Sequence, residues 1–157
     1  MKKIIGLFLM LILISAPVKI YAADIKIVIN NQQLKTGNAP VILEGRTLVP
    51  LRDIAEAMGC EVKWFPETQT INLKNNKFIV GMQIGNYWIS KIDAVTAQII
   101  TQYGIDVPPI LINGVTYIPV RAFAEGLDAY VGWDAGTQSV LITHDTTVVF
   151  LHPDLRN

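Results

Sequence analysis

An internal repeat constrains this chain more than any other feature. Residues Pro40 to Leu73 and Pro109 to Ile142 align without gaps at a constant offset, and roughly a third of the positions are identical, as in a duplicated supersecondary unit. Pro40, Gly45, Thr47, Pro50, Arg52, Ala55, Glu56, Val62, Trp64, Thr68 and Gln69 recur as Pro109, Gly114, Thr116, Pro119, Arg121, Ala124, Glu125, Val131, Trp133, Thr137 and Gln138. Whatever one stretch folds into, the other must fold into as well. A unit of this length buries little apolar surface alone, so the two are expected to pack together.

Local signals give each unit its elements. Val41-Ile42-Leu43 and Thr47-Leu48-Val49 flank the turn at Glu44-Gly45; its counterpart, Asn113-Gly114, is the strongest hairpin signal in the chain. Pro50 and Pro119 are placed in the first helical turn, where the amide proline lacks would have no partner. Leu51, Ile54, Ala55 and Met58 then fall at helical spacing, as do Val120, Phe123, Ala124 and Leu127. Arg52 with Glu56, and Arg121 with Glu125, stand four apart and are expected to pair. Gly59 stops the first helix in the left-handed conformation, and Asp128 takes that position in the second. Strands bearing Trp64 and Trp133 follow, each with a turn and a last strand. The fold class is therefore α+β: two repeated ββαββ-type units packed as one compact or bilobed domain.

The chain begins with Lys2 and Lys3, an apolar run from Ile4 to Ile14, and small residues at Ala22 and Ala23. That order is a secretory signal peptide with cleavage after Ala22. An uncleaved anchor is the alternative, but the apolar run is about half the roughly 20 residues a spanning helix requires. Cleavage removes Lys2, Lys3 and Lys19 from a chain of 13 basic and 13 acidic residues, leaving a net charge of about −3. Such a balance offers no footprint for nucleic acid or anionic lipid. Cys60 is the only cysteine, so no intrachain disulfide forms. Its counterpart Ala129 marks it as a small packed residue rather than a reactive thiol.

The remaining segments are less regular. Ile25 to Ile29 alternates and runs into Asn30-Asn31, a strand entering a hairpin. Lys77–Val80 and Met82–Ile84 look extended after a turn at Lys74–Lys77. Asn86 to Val107 has no counterpart in the first unit, and Ile92–Tyr103 is open between helix and strand: Val95, Ile99 and Tyr103 share a helical face, while the β-branched content opposes it. A final strand is expected at Thr147–Leu151. The domain plan is a signal peptide at 1–22, a first unit at 23–73, connecting strands and an insertion at 74–108, a second unit at 109–145, and a tail at 146–157.

The Gly-x-Thr-x-x-Pro-x-Arg segment, the Ala-Glu helix and the Val-x-Trp strand followed by Thr-Gln resemble the copper amine oxidase N-terminal, or stalk, domain family, and do so twice. Such domains recur in tandem in exported proteins of Gram-positive bacteria. The resemblance implies an accessory lobe, separate from the catalytic domain that carries copper. Copper chemistry needs clustered imidazoles, and the chain has only His144 and His152. The second unit departs at Val115, where Arg46 stands in the first, so a surface role tied to that arginine does not carry over.

No nucleophile–His–Asp set, zinc spacing, phosphate loop or dinucleotide fingerprint occurs. No catalytic residue, metal or cofactor is therefore expected. Pro50, Arg52, Glu56, Trp64, Pro119, Arg121, Glu125 and Trp133 read as the structural signature of the repeat. Tyr87, Trp88 and Tyr103, which are not repeated, are the candidate binding residues, because exposed aromatic rings stack on sugars and anchor interfaces; filling the junction between lobes is the competing role. The functional expectation is a secreted or envelope-associated, non-catalytic binding or scaffolding module. Its partner would be a cell-wall polymer or surface protein, with no nucleic acid and no membrane span after cleavage. A wall-active hydrolase using Glu56 and Glu125, or a homo-oligomer assembled through strand edges, is the alternative.

Overall fold

The computed structural model of the chain describes residues 21–22 and 24–144. Most of the expected leader, the strand expected at Thr147–Leu151, and His152 lie outside these residues. No helix among the described residues is long and apolar enough to cross a membrane. The architecture is mainly sheet: fourteen strands and two short helices among the described residues, so the α+β expectation gives too much weight to helix.

In chain order the elements are β1 (Tyr21–Ala22), β2 (Lys26–Ile29), β3 (Gln32–Leu34), β4 (Val41–Leu43), β5 (Arg46–Pro50), α1 (Leu51–Ala57), β6 (Glu61–Phe65), β7 (Thr70–Lys74) and β8 (Phe78–Gln83). Next come β9 (Trp88–Asp93), β10 (Ile99–Gly104), β11 (Ile110–Ile112), β12 (Val115–Pro119), α2 (Val120–Gly126), β13 (Tyr130–Asp134) and β14 (Ser139–Thr143). The stretches β4–β7 and β11–β14 run through the same succession with the same registers. Val41 faces Leu48 as Ile110 faces Tyr117, and Glu61 faces Lys74 as Tyr130 faces Thr143. Their turns agree too. Glu44 and Gly45 have φ of 51° and 73°, and Asn113 and Gly114 have 50° and 80°, the paired left-handed geometry of a tight hairpin.

Three sheets assemble these parts. The central one has the order β1-β4-β5-β12-β11, so the two hairpins join edge to edge. Tyr117 faces Pro50, Ile118 faces Val49 and Pro119 faces Leu48. Equivalent residues thus exchange places across an antiparallel pair, and the halves meet about a local two-fold axis. Strand alternation sends Val49 and Ile118 into the main core with both helices, while Leu48, Val41, Leu43 and Tyr117 form a second cluster on the opposite face with Val107.

The outer sheets break that symmetry. In the first half β7 continues antiparallel into β8, β9 and β10; in the second, β14 pairs in parallel with β2 from the start of the chain. The insertion is therefore a pair of strands, not a helix over Ile92–Tyr103. Asp93 accepts bonds from the Val95 and Thr96 amides at 2.9 and 2.7 Å, Ala97 takes φ 58°, and the chain reverses into β10. Ile99, Ile100 and Thr101 suit the strand that follows.

Two local details also differ from expectation. Pro50 and Pro119 precede the helices rather than lying within their first turns: both keep extended ψ values, 112° and 125°, because they still face the partner strand of the central sheet. The Arg121–Glu125 pair is not formed among the described residues, whereas Arg52 Nη1 approaches Glu56 Oε1 at 3.4 Å. Gly59 and Asp128 both adopt left-handed φ, 75° and 55°. Cys60 is buried, and that burial raises its thiol above the ordinary value.

Candidate functional site

Two hollows open where the halves meet, and the local two-fold relates them. The larger, about 550 Å³, is lined by Pro119, Arg121, Val131 and Trp133 of the second half and by Gly45, Arg46 and Thr47 of the first. The smaller, about 330 Å³, is lined by the counterparts Pro50, Arg52, Val62 and Trp64, with Gly114, Val115 and Thr116 reaching over from the second half. Each hollow thus takes a helix start and a tryptophan strand from one half and a hairpin turn from the other. The β5–β12 pairing causes this, since it carries each turn past its own helix toward its neighbour's. The larger volume lies within the range usual for sites that hold small ligands.

The two hollows are not equivalent. Trp64 is partly buried and packs against the main core, whereas Trp133 is 50% exposed and stands free of it. In the smaller hollow the Asp53 carboxylate accepts the Gly37 amide at 3.1 Å, which ties the 36–39 loop beside the helix start. Ala122 replaces Asp53 in the other half, so that tie has no equivalent. The Arg46/Val115 difference also acquires a meaning: Arg46 serves the larger hollow, across the axis from its own helix.

Charge follows the same division. The Arg46 Nε donates to Asp106 Oδ2, and this bond holds the Asp106 carboxyl below the usual carboxylate range. Arg121 has no carboxylate partner among the described residues, and Glu125, also lining the hollow, is likewise unpaired. Behind them Tyr103 donates its hydroxyl to the Ala122 carbonyl at 3.0 Å, clamping α2 to the insertion. Burial first, then the Glu125 and Asp128 carboxylates, pushes the Tyr103 phenol far above its ordinary value, so it stays a neutral donor.

The aromatic residues expected to form a binding surface do not share one. Tyr87 and Trp88 are 52% and 62% exposed, while Tyr103 turns inward and packs against the core. Tyr103 pairs with Ile89, whose side chain faces inward, and alternation along β9 puts Trp88 on the other side. The eight signature residues divide between scaffold and cavity wall. Pro50, Arg52 and Trp64 line the small hollow, and Pro119, Arg121, Glu125 and Trp133 line the large one; Glu56 pairs with Arg52. The place of Arg46 and Asp106 in the larger hollow has little local signal in the sequence. The only trace was the mismatch of Arg46 with Val115, and its destination depended on which strands pair.

The profile of the copper amine oxidase N-terminal domain matches residues 28–142, and again residues 97–156. A protein named "Protease inhibitor" from Brevibacillus choshinensis is 31% identical over 121 residues, covering 74% of this chain and 32% of its own length. The chain therefore spans about a third of the curated relative it matches. No solved structure matches it.

Proposed function

Because the chain belongs to the copper amine oxidase N-terminal domain family, we propose that it is an exported, non-catalytic binding module of the cell envelope. Its two halves are copies of one ββαββ unit that function only when joined. The observation that supports this reading is the larger hollow, where one copy leaves Trp133 and Arg121 free while the other keeps Trp64 and Arg52 occupied. A half-exposed indole beside an unpaired guanidinium is an arrangement for holding a ligand. The basic and apolar leader and the net charge near −3 after its removal support export and solubility. A hydrolase reading meets a geometric obstacle. Glycoside hydrolysis needs two carboxyls flanking one bond, and of the pair that reading names only Glu125 lines this hollow, Glu56 being paired with Arg52 outside it.

The test is retention of the mature protein by isolated envelope fractions, with a Trp133→Ala, Arg121→Gln double variant alongside. Retention that the variant loses is the expected result. No retention by any fraction refutes the module, and equal retention of the variant moves its binding surface elsewhere.

A second reading draws on the relative named as a protease inhibitor. Val95, at the tip of the β9–β10 hairpin, is 87% exposed on a turn braced by Asp93. An exposed apolar residue on a rigid projection suits insertion into a protein cleft. Titration against a panel of secreted proteases tests it: stoichiometric inhibition lost in Val95→Asp supports it, and full protease activity throughout removes it.

A further inference from the structure

From the chemistry of the larger hollow we infer its ligand class: a saccharide whose rings carry carboxylates. This inference rests on the binding-module reading above and narrows it.

Three features of the cavity converge on that class. Trp133 lines the cavity and is half-exposed, and an apolar indole ring is what a pyranose stacks against. Arg121 supplies a planar fork of donors, unpaired among the described residues, that matches a carboxylate better than any neutral group. Arg46 adds a second guanidinium whose Nε is anchored by Asp106, while its terminal nitrogens have no protein partner among the described residues. Both acids at the site count in the balance. Asp106 offsets Arg46, and Glu125 offsets part of the field of Arg121. A ligand that offered charge alone would therefore meet as much repulsion as attraction. Hydroxyl groups, by contrast, donate well to such carboxylates. The ligand that satisfies an indole, a guanidinium unpaired among the described residues and two acceptor carboxylates together carries a ring, hydroxyls and a carboxylate on that ring. The smaller hollow fails on each count: its tryptophan packs on the core, its arginine is taken by Glu56, and Val115 replaces Arg46.

Three probes of matched length separate these contributions when titrated into the full secreted chain by calorimetry and tryptophan fluorescence. Oligogalacturonate carries ring and carboxylate, a neutral galacto-oligosaccharide the ring alone, and poly-glutamate the carboxylate alone. Oligogalacturonate is expected to bind at least about tenfold tighter than either of the others, a difference of about 1.4 kcal/mol. Arg121→Gln should bring oligogalacturonate down to the neutral sugar's affinity. Trp133→Ala should abolish binding of both sugars and Trp133→Phe should retain it, while Arg52→Gln, in the smaller hollow, should change nothing. Equal affinity for the acidic and neutral sugars overturns the carboxylate assignment, and equal affinity for poly-glutamate overturns the stacking. If none of the three binds while envelope fractions still retain the protein, the ligand class is wrong and the module stands. If retention fails as well, the module itself falls.

Discussion

Replacing Gly126 with alanine sets helix propensity against packing, and the distances decide between them. Gly126 is buried in the last turn of α2. A Cβ built there would lie 2.9 Å from Val80 Cγ1 and 3.0 Å from the Tyr103 hydroxyl. Alanine is the better helix former by about 1 kcal/mol, so on propensity alone the variant should be more stable. Overpacking a closed core costs about 1–3 kcal/mol. Neither neighbour can yield freely: Val80 is fully buried, and the Tyr103 hydroxyl is fixed to the Ala122 carbonyl. Moving the hydroxyl also weakens a hydrogen bond worth about 1 kcal/mol. The packing cost therefore falls near the top of its range, and the net effect is a loss of about 2 kcal/mol. The equivalent residue in α1, Ala57, is exposed, so Ala57→Gly should cost only its propensity, about 1 kcal/mol. Urea unfolding of both variants, with midpoints and slopes compared, measures the pair. A Gly126→Ala protein as stable as the parent, or more so, would refute the claim that α2 is seated against the insertion at contact distance.

The two tryptophans should separate in stability. Trp64→Ala is expected to cost about 2–3 kcal/mol because it hollows the edge of the core, and Trp133→Ala under about 1 kcal/mol because half its surface is already in water; thermal melts distinguish them. Lys91 is buried, with its ammonium 3.7 Å from the Phe78 ring centroid and bonded to the Asp128 carboxylate. Asp128→Ala should therefore cost about 2 kcal/mol by stranding that charge, while Lys91→Met should stay within about 1 kcal/mol of the parent, as urea midpoints would show. The Asp93 carboxyl is held below its ordinary value of 3.8 by the Thr96 and Val95 amides. A lowered folded-state pKa means that its support for the hairpin is complete above the ordinary value and fades as the pH falls through the folded one. Protection of the Val95 and Thr96 amides against exchange, relative to the intrinsic rate, should fall in that acid range and hold at neutral pH; protection indifferent to acid would contradict the brace.

Some of this was legible in the chain because it depends on neighbours along the backbone. Asn113-Gly114 makes a tight hairpin wherever it occurs, since both residues accept positive φ. The apolar spacing of Leu51, Ile54, Ala55 and Met58 gives a helix a buried face in either half. Repetition then transferred each inference from one stretch to the other, down to the register of the hairpins. The insertion is less legible. Val95, Ile99 and Tyr103 fit a helical face by spacing, but Asp93 captures two amides and Ala97 reverses the chain, so β-branched Ile99 and Thr101 pair with β9 instead.

The unequal fate of the duplicated residues belongs to tertiary structure alone. Trp64 and Trp133 are the same residue in the same local setting, yet one packs on the core and the other is open. The strands beside them differ as well, β7 running into β8 in one half and β14 pairing with β2 in the other. Arg46 gives no local sign that it serves the opposite half's helix. Backbone preference is set within a few residues, which is why turns and helix faces could be read from the chain. Which strands lie side by side depends on contacts between residues far apart in sequence, and here the antiparallel meeting of β5 with β12 decides what each hollow contains.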